Sequence, residues 1–115
     1  MELALLTPAD LRRRFESGER LIVLDVREPQ EREFCAIAVP PAATDLHLPT
    51  SEFLALAQEL PDPRQAAPIV VYCHHGVRSR SVAAWLLRNG YENIASLEGG
   101  IDAWSLDIDP DVPRY

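Results

Sequence analysis

A chain of 115 residues, 47% apolar and 25% charged, has the size and composition of one domain over residues 1–115 with a conventional buried core. Its formal charge of -7 argues against nucleic acid or an anionic membrane as a main partner. No run approaches the roughly 18 apolar residues of a spanning helix, so no membrane contact is expected.

The start, Met1-Glu2-Leu3-Ala4-Leu5-Leu6-Thr7-Pro8, lacks the basic region and apolar core of a signal peptide. A cytoplasmic, reducing setting is therefore expected. There Cys35 and Cys73 read as free thiols, the alternatives being a disulfide between them or a resolving role for Cys35. Thr7 as cap, Pro8 in the first turn and Asp10 near the open amides predict a helix running to Ser17-Gly18, with Leu11 and Phe15 inward. Leu21 to Leu24 is an unbroken apolar run of strand length, suited to a strand covered on both faces. Asp25-Val26-Arg27-Glu28 follows, and Pro29 opens a short helix through Phe34. Pro40-Pro41 interrupts the pattern before a weak strand near Ala43 to Leu46. A helix capped by Thr50 or Ser51 is expected next, with Phe53, Leu54, Leu56, Ala57 and Leu60 as its apolar stripe.

Ile69 to Tyr72 is a second buried strand, and a helix follows Ser79, from Arg80 to Arg88, closed by Asn89-Gly90. Ile94 to Leu97 predicts another strand, Gly99-Gly100 a turn, and Ile101 to Leu106 a short helix. Residues 107–115 read as an extended strap. Strands without period-two polarity that alternate with helices imply a three-layer α/β/α domain around a mostly parallel sheet of about five strands. Ligands of such sheets bind beyond the carboxyl ends of the strands, where Asp25 and Cys73 both fall.

Cys73 stands where the second strand ends, followed by His74-His75-Gly76-Val77-Arg78-Ser79 and the helix. Amides at a helix start, the helix dipole, and the charges of Arg78 and Arg80 all favour thiolate over thiol, and thiolate is the nucleophile. The alternative is a buried structural cysteine.

The spacing Cys73-x-x-Gly76-x-Arg78-Ser79 between strand and helix resembles the active-site loop of the rhodanese sulfurtransferases. Leu24-Asp25-Val26-Arg27-Glu28-Pro29 is similar to the Asp-Val-Arg-Glu segment of that family, and Leu97-Glu98-Gly99-Gly100-Ile101-Asp102-Ala103-Trp104 to its Gly-Gly-x-x-x-Trp segment. The likeness runs from about Thr7 to Tyr115. Where the family shows His or Arg, an apolar residue and Pro-Gly-Ala, this chain has Ala38-Val39-Pro40-Pro41-Ala42, implying a differently shaped turn in one wall of the site. Many members carry Arg directly after the cysteine, where this chain has His74.

The resemblance implies transfer of a sulfane sulfur through a Cys73 persulfide. The donor would be thiosulfate or a similar small anion, and the acceptor cyanide, a thiol or a protein. His74, His75, Gly76, Val77, Arg78 and Ser79 would form the binding loop. Main-chain amides would face the outer sulfur, and Arg78 would either hold donor oxygens or fold back onto loop carbonyls. No metal or organic cofactor is implied, and a monomer or weak dimer suffices. Related dual-specificity phosphatases and arsenate reductases place five residues between Cys and Arg. The four here enclose a smaller pocket, matched to one sulfur atom. A Cys-dependent phosphatase or arsenate reductase, and a non-catalytic binding module, are the competing readings.

Other motifs read more simply. His74 and His75 are adjacent, so they border the pocket rather than share an ion. Asp25 and Arg27 read as a structural pair or as a brace for the Cys loop, with a catalytic role as the alternative, and His47 as a loop or surface residue. Glu98 and the run Arg12-Arg13-Arg14 are expected in solvent, Trp85 and Trp104 in the core or its rim.

Overall fold

The computed structural model describes residues 3–115; Met1 and Glu2, part of the stretch read for a signal peptide, lie outside the described residues. Five strands make a wholly parallel sheet: β1 (Ala4–Leu6), β2 (Ile22–Asp25), β3 (Thr44–His47), β4 (Ile69–Tyr72) and β5 (Ile94–Leu97), in the order β1-β5-β4-β2-β3. The three central strands are buried along their whole lengths, which is why their sequences lack polar alternation.

Alternate residues of these strands feed two cores. Ile22, Leu24, Ile69, Val71 and Ile94 pack with Phe53, Leu60, Val82 and Leu86 on one face. Val23, Val70, Tyr72 and Leu97 pack with Leu11, Ile101 and Trp104 on the other. Helices α3 (Phe53–Leu56) and α4 (Val77–Arg88) therefore cover one side, and α1 (Pro8–Glu16) and α5 (Gly100–Asp107) the opposite side. The three-layer α/β/α arrangement is as the sequence implies. Each fully buried Leu or Val contributes about 1.5–3 kcal/mol relative to an exposed one.

Several local expectations hold in detail. Thr7 Oγ1 accepts the Asp10 amide at 3.1 Å while the Asp10 carboxylate reaches back to the Thr7 amide, a reciprocal cap. α2 (Pro29–Phe34) begins at its proline, and Gly90 closes α4 with φ +96°. Arg13 pairs with Asp10 and Arg14 with Glu19, so that part of the arginine run serves α1 itself.

Other expectations are corrected. β1 has no counterpart in the sequence reading; only three residues long and half-exposed, it is held by pairing with β5. β2 and β3 each lie one residue further along than expected. The helix expected from Thr50 is broken into a 3₁₀ turn, the single turn of α3 and a second 3₁₀ turn. Thr50 and Ser51 do not cap it. Their hydroxyls bond the Glu28 carboxylate, at 3.2 and 2.5 Å. Of the expected stripe only Phe53 and Leu60 are buried, whereas Leu54 is 75% exposed. α4 starts at Val77, three residues earlier than expected, so Arg78 and Ser79 belong to its first turn.

The Pro40–Ala43 turn precedes β3, beside Gly18 and Leu21 at the amino ends of the strands. It is therefore no wall of a site at the carboxyl ends. His47 closes β3, half-buried, with Nε2 2.8 Å from the Arg27 carbonyl oxygen. Residues 107–115 are not the extended strap expected: Asp107 ends α5, a turn follows that buries Val112, and only the last residues return to the carboxyl rim.

Candidate active site

The end of β4 delivers Cys73 to the carboxyl rim, and the next three residues make a tight curl into α4. Gly76 caps that helix at φ +98°, a left-handed conformation that glycine adopts without steric cost. The curl turns its amides inward: Gly76 N–H donates to Cys73 Sγ at 3.1 Å and Ser79 N–H at 3.4 Å. Ser79 Oγ lies 3.5 Å from the same sulfur. Cys73 is only 1% exposed, yet its sulfur faces two N–H groups and a hydroxyl at the start of a 12-residue helix. Such convergence of donors is the environment in which negative charge on sulfur is stabilised.

The outer side of the curl is held by α5. Ile101 N–H donates to the Cys73 carbonyl at 2.9 Å and Asp102 N–H to the His74 carbonyl at 3.1 Å. The approach is so close that a Cβ on Gly100 would sit 2.4 Å from the His74 oxygen and 2.5 Å from the Cys73 oxygen. Gly100 thus lets two backbones touch, the close approach expected of the glycine pair, whereas a Cβ on Gly99 would meet Ala103 within α5.

Arg78 does not fold back onto the loop carbonyls. Its guanidinium makes a two-point ion pair with Glu31 of α2, at 2.6 and 3.0 Å. Arg78 on one side and the Tyr115 hydroxyl at 2.7 Å on the other hold the Glu31 carboxyl down to about 2. The Arg78 charge beside the sulfur is therefore largely balanced by a carboxylate. Arg80 is exposed and makes no ion pair among the described residues.

Asp25 and Arg27 form a fully buried pair, Nη2 to Oδ2 at 2.8 Å and Nε to Oδ1 at 2.9 Å. Burial works against charge on Asp25, but the hydrogen bonds from Arg27 outweigh it and keep its carboxyl below the usual range. The Tyr72 phenol donates to the same carboxylate at 3.2 Å, and burial next to that charge pushes its ionisation up. Arg27 also donates to the Cys35 carbonyl at 2.6 Å and to the Tyr115 hydroxyl at 3.1 Å. The pair is structural, and it braces α2 and the tail rather than the Cys loop. Cys35 packs with the α1/α5 side of the sheet and Cys73 with the other, and both are free thiols.

His74 stacks on the Tyr115 ring, centroids 3.8 Å apart and planes within 6°. Burial, with His75 close by, shifts its ionisation downward, so the ring is neutral near neutral pH. Among the described residues, His74, His75 and Asp102 alone bring three candidate metal-ligand atoms within 4.8 Å of one another, and the Asp102 carboxylate is already occupied by Arg114 at 2.9 Å.

Glu31, Tyr115, Asp102 and Ser96 were not singled out from the sequence. Glu31 carries one local signal, its position three residues into the Pro29 turn, where it reaches back to the Glu28 amide. Tyr115 and Ser96 carry none. Val77 is 73% exposed and flanks an apolar groove with Phe53, Leu54 and Trp85.

A family model for the Rhodanese-like domain matches residues 7–107. The chain belongs to the rhodanese-like domain family. The chain is 41% identical over 83 residues to the thiosulfate sulfurtransferase GlpE of Haemophilus influenzae, covering 72% of this chain and 71% of GlpE. It is 34% identical over 110 residues to the probable adenylyltransferase/sulfurtransferase MoeZ of Mycobacterium tuberculosis, covering 96% of this chain but 26% of MoeZ. This rhodanese-like chain thus spans about a quarter of the length of that curated relative. In structure it is similar to a rhodanese-related protein from Thermoplasma volcanium, with a TM-score of 0.77 and 31% identity, covering 97% of this chain and 99% of that one. Its family is one of sulfurtransferases, and among the described residues no helix is long and apolar enough to cross a membrane.

Proposed function

We propose that this rhodanese-like domain moves a sulfane sulfur from thiosulfate, or a similar small anion, to a thiophilic acceptor through a persulfide on Cys73. The observation that carries the reading is the cysteine at the end of β4 with Gly76 N–H, Ser79 N–H and Ser79 Oγ all within 3.5 Å of its sulfur. In the first step the Cys73 thiolate attacks the outer sulfur of thiosulfate. A new S–S bond forms, the old one breaks, and sulfite leaves with its electron pair. In the second, cyanide or an acceptor thiolate attacks the outer sulfur of the persulfide, and Cys73 leaves as thiolate, ready for another cycle.

The loop residues have distinct parts. Gly76 and Ser79 supply amides to sulfur-borne charge, and Gly76 also gives the curl its shape. His74 and His75 line the mouth, the first neutral and stacked, the second exposed. Val77 presents an apolar edge to an incoming acceptor. Arg78 meets donor oxygens once Glu31 shares its guanidinium, and Tyr115, against His74 and Glu31, closes this side of the rim.

Intact-mass spectrometry tests the reading. Thiosulfate adds one sulfur mass to the wild type and none to Cys73→Ser, and cyanide then removes it as thiocyanate. A wild-type chain that gains no sulfur from thiosulfate while hydrolysing an aryl phosphate through Cys73 refutes it.

A further inference from the structure

Behind the Cys73 loop, on β5, the Ser96 hydroxyl lies 2.7 Å from Ser79 Oγ, and both side chains are fully buried. Ser79 Oγ is in turn 3.5 Å from Cys73 Sγ. Three groups therefore form one closed line: sulfur, first hydroxyl, second hydroxyl. Ser96 stands directly opposite Val71 of β4, so the sheet register itself sets its place two residues before the cysteine.

Proton counting gives the line a direction. Each serine carries one proton and two acceptor positions. If the sulfur is the final acceptor, Ser96 donates to Ser79 and Ser79 donates to the sulfur, and both hydroxyl protons are used. If the sulfur donates instead, as a thiol, three protons meet two links, and one hydroxyl proton, that of Ser79 or of Ser96, has no acceptor among the described residues. A buried hydroxyl proton without a partner is costly, so the buried site favours the first arrangement. Hydrogen bonds to an ionised acceptor are also the stronger ones, and a donating neighbour polarises a hydroxyl toward its own acceptor.

We propose that Ser96 is a positioning residue for the reaction: by donating to Ser79 Oγ it commits the Ser79 proton to the Cys73 sulfur, and so raises the fraction of Cys73 present as reactive thiolate. Ser96 touches neither donor nor acceptor and acts only through Ser79. The inference rests on reading Cys73 as the nucleophile.

The test measures Cys73 alkylation by iodoacetamide against pH in a Cys35→Ser background, for the parent, Ser96→Ala, Ser96→Thr, Ser79→Ala and the double Ser79→Ala/Ser96→Ala chain. Sulfur loading from thiosulfate is followed in the same samples. In Ser96→Ala the rate at pH 6.5 is expected to fall about three- to tenfold, the size of a weakened bond to a charged group, with the rate at pH 10 unchanged. Adding Ser96→Ala to Ser79→Ala is expected to change nothing further, because the path is already cut. Ser96→Thr, which keeps the hydroxyl, is expected to restore the parent profile. A Ser96→Ala profile that overlays the parent, or equal losses in the presence and absence of Ser79, overturns the proposal. A parent that alkylates normally but never loads sulfur refutes the sulfur-transfer reading instead, which keeps the two failures apart.

Discussion

Glu31 of α2 holds Arg78 of the Cys loop through two hydrogen bonds, at 2.6 and 3.0 Å, across 47 residues of sequence. The loop's arginine is therefore engaged by a carboxylate of the protein, with which any entering anion has to compete. Glu31→Gln removes the competitor's charge while keeping its shape. The KM for thiosulfate is expected to fall roughly three- to tenfold, and Arg78→Ala to raise it by a similar factor, the size of one charge-assisted hydrogen bond. Steady-state kinetics check both; an unchanged KM in each variant makes Arg78 a purely structural residue.

The same pair gives acid stability a defined window. The Glu31 carboxyl is held down to about 2 in the folded chain, below its ordinary value of 4.5. A depressed folded value means stability that is present above the ordinary value and is lost as pH falls through that range. Melting temperature is expected to drop between about pH 4.5 and pH 2 in the wild type, and less steeply in Glu31→Gln. Parallel curves for the two chains contradict the assignment.

Asp25→Asn tests the buried pair. Both side chains are fully enclosed, so the variant leaves the Arg27 guanidinium with an uncompensated charge in the core. A loss of about 3–5 kcal/mol is expected on breaking such a pair from one side. Urea denaturation measures it, and a loss below about 1 kcal/mol shows that Glu31, Tyr115 or water takes over the role of Asp25.

Gly100→Ala tests the contact that shapes the loop. Its Cβ would meet the His74 and Cys73 carbonyl oxygens at 2.4 and 2.5 Å, and its φ of +62° is unfavourable for alanine. Gly18 has a similar φ of +72° but open space around it, so Gly18→Ala isolates the backbone cost, about 1 kcal/mol. Gly100→Ala is expected to lose at least about 2 kcal/mol more, together with sulfur loading. Equal stabilities for the two variants remove the steric argument.

Tyr115→Ala uncovers His74. Burial is the main reason the His74 ionisation lies below its ordinary value of 6.5, and the Tyr115 ring lies flat against it. Its midpoint, followed by proton NMR, is expected to rise toward 6.5 in the variant. A midpoint that stays in place assigns the burial to the loop alone.

Strands β2, β4 and β5 and the cysteine's place at a strand end were legible from single residues outward. Unbroken apolar runs, and proline or glycine at their borders, are local signals that hold wherever the chain is buried on both faces. So were the reciprocal cap at Thr7 and the start of α2 at Pro29. Position 50 shows where such local reading stops. Thr50 and Ser51 have the chemistry of helix caps, but the Glu28 carboxylate, 22 and 23 residues away, claims both hydroxyls.

The amino-acid order by itself determined the layered architecture and the neighbourhood of Cys73, because strand burial and loop spacing depend on nearby residues. Tertiary structure alone decided which partner Arg78 takes, that Tyr115 lies on His74, that β1 forms, and that Ser96 stands behind the cysteine. Each of these depends on contacts between segments 17 to 91 residues apart, Ser79–Ser96 the shortest and the parallel pairing of Leu5 with Ser96 the longest, and side-chain type carries no signal of who will arrive from that far away.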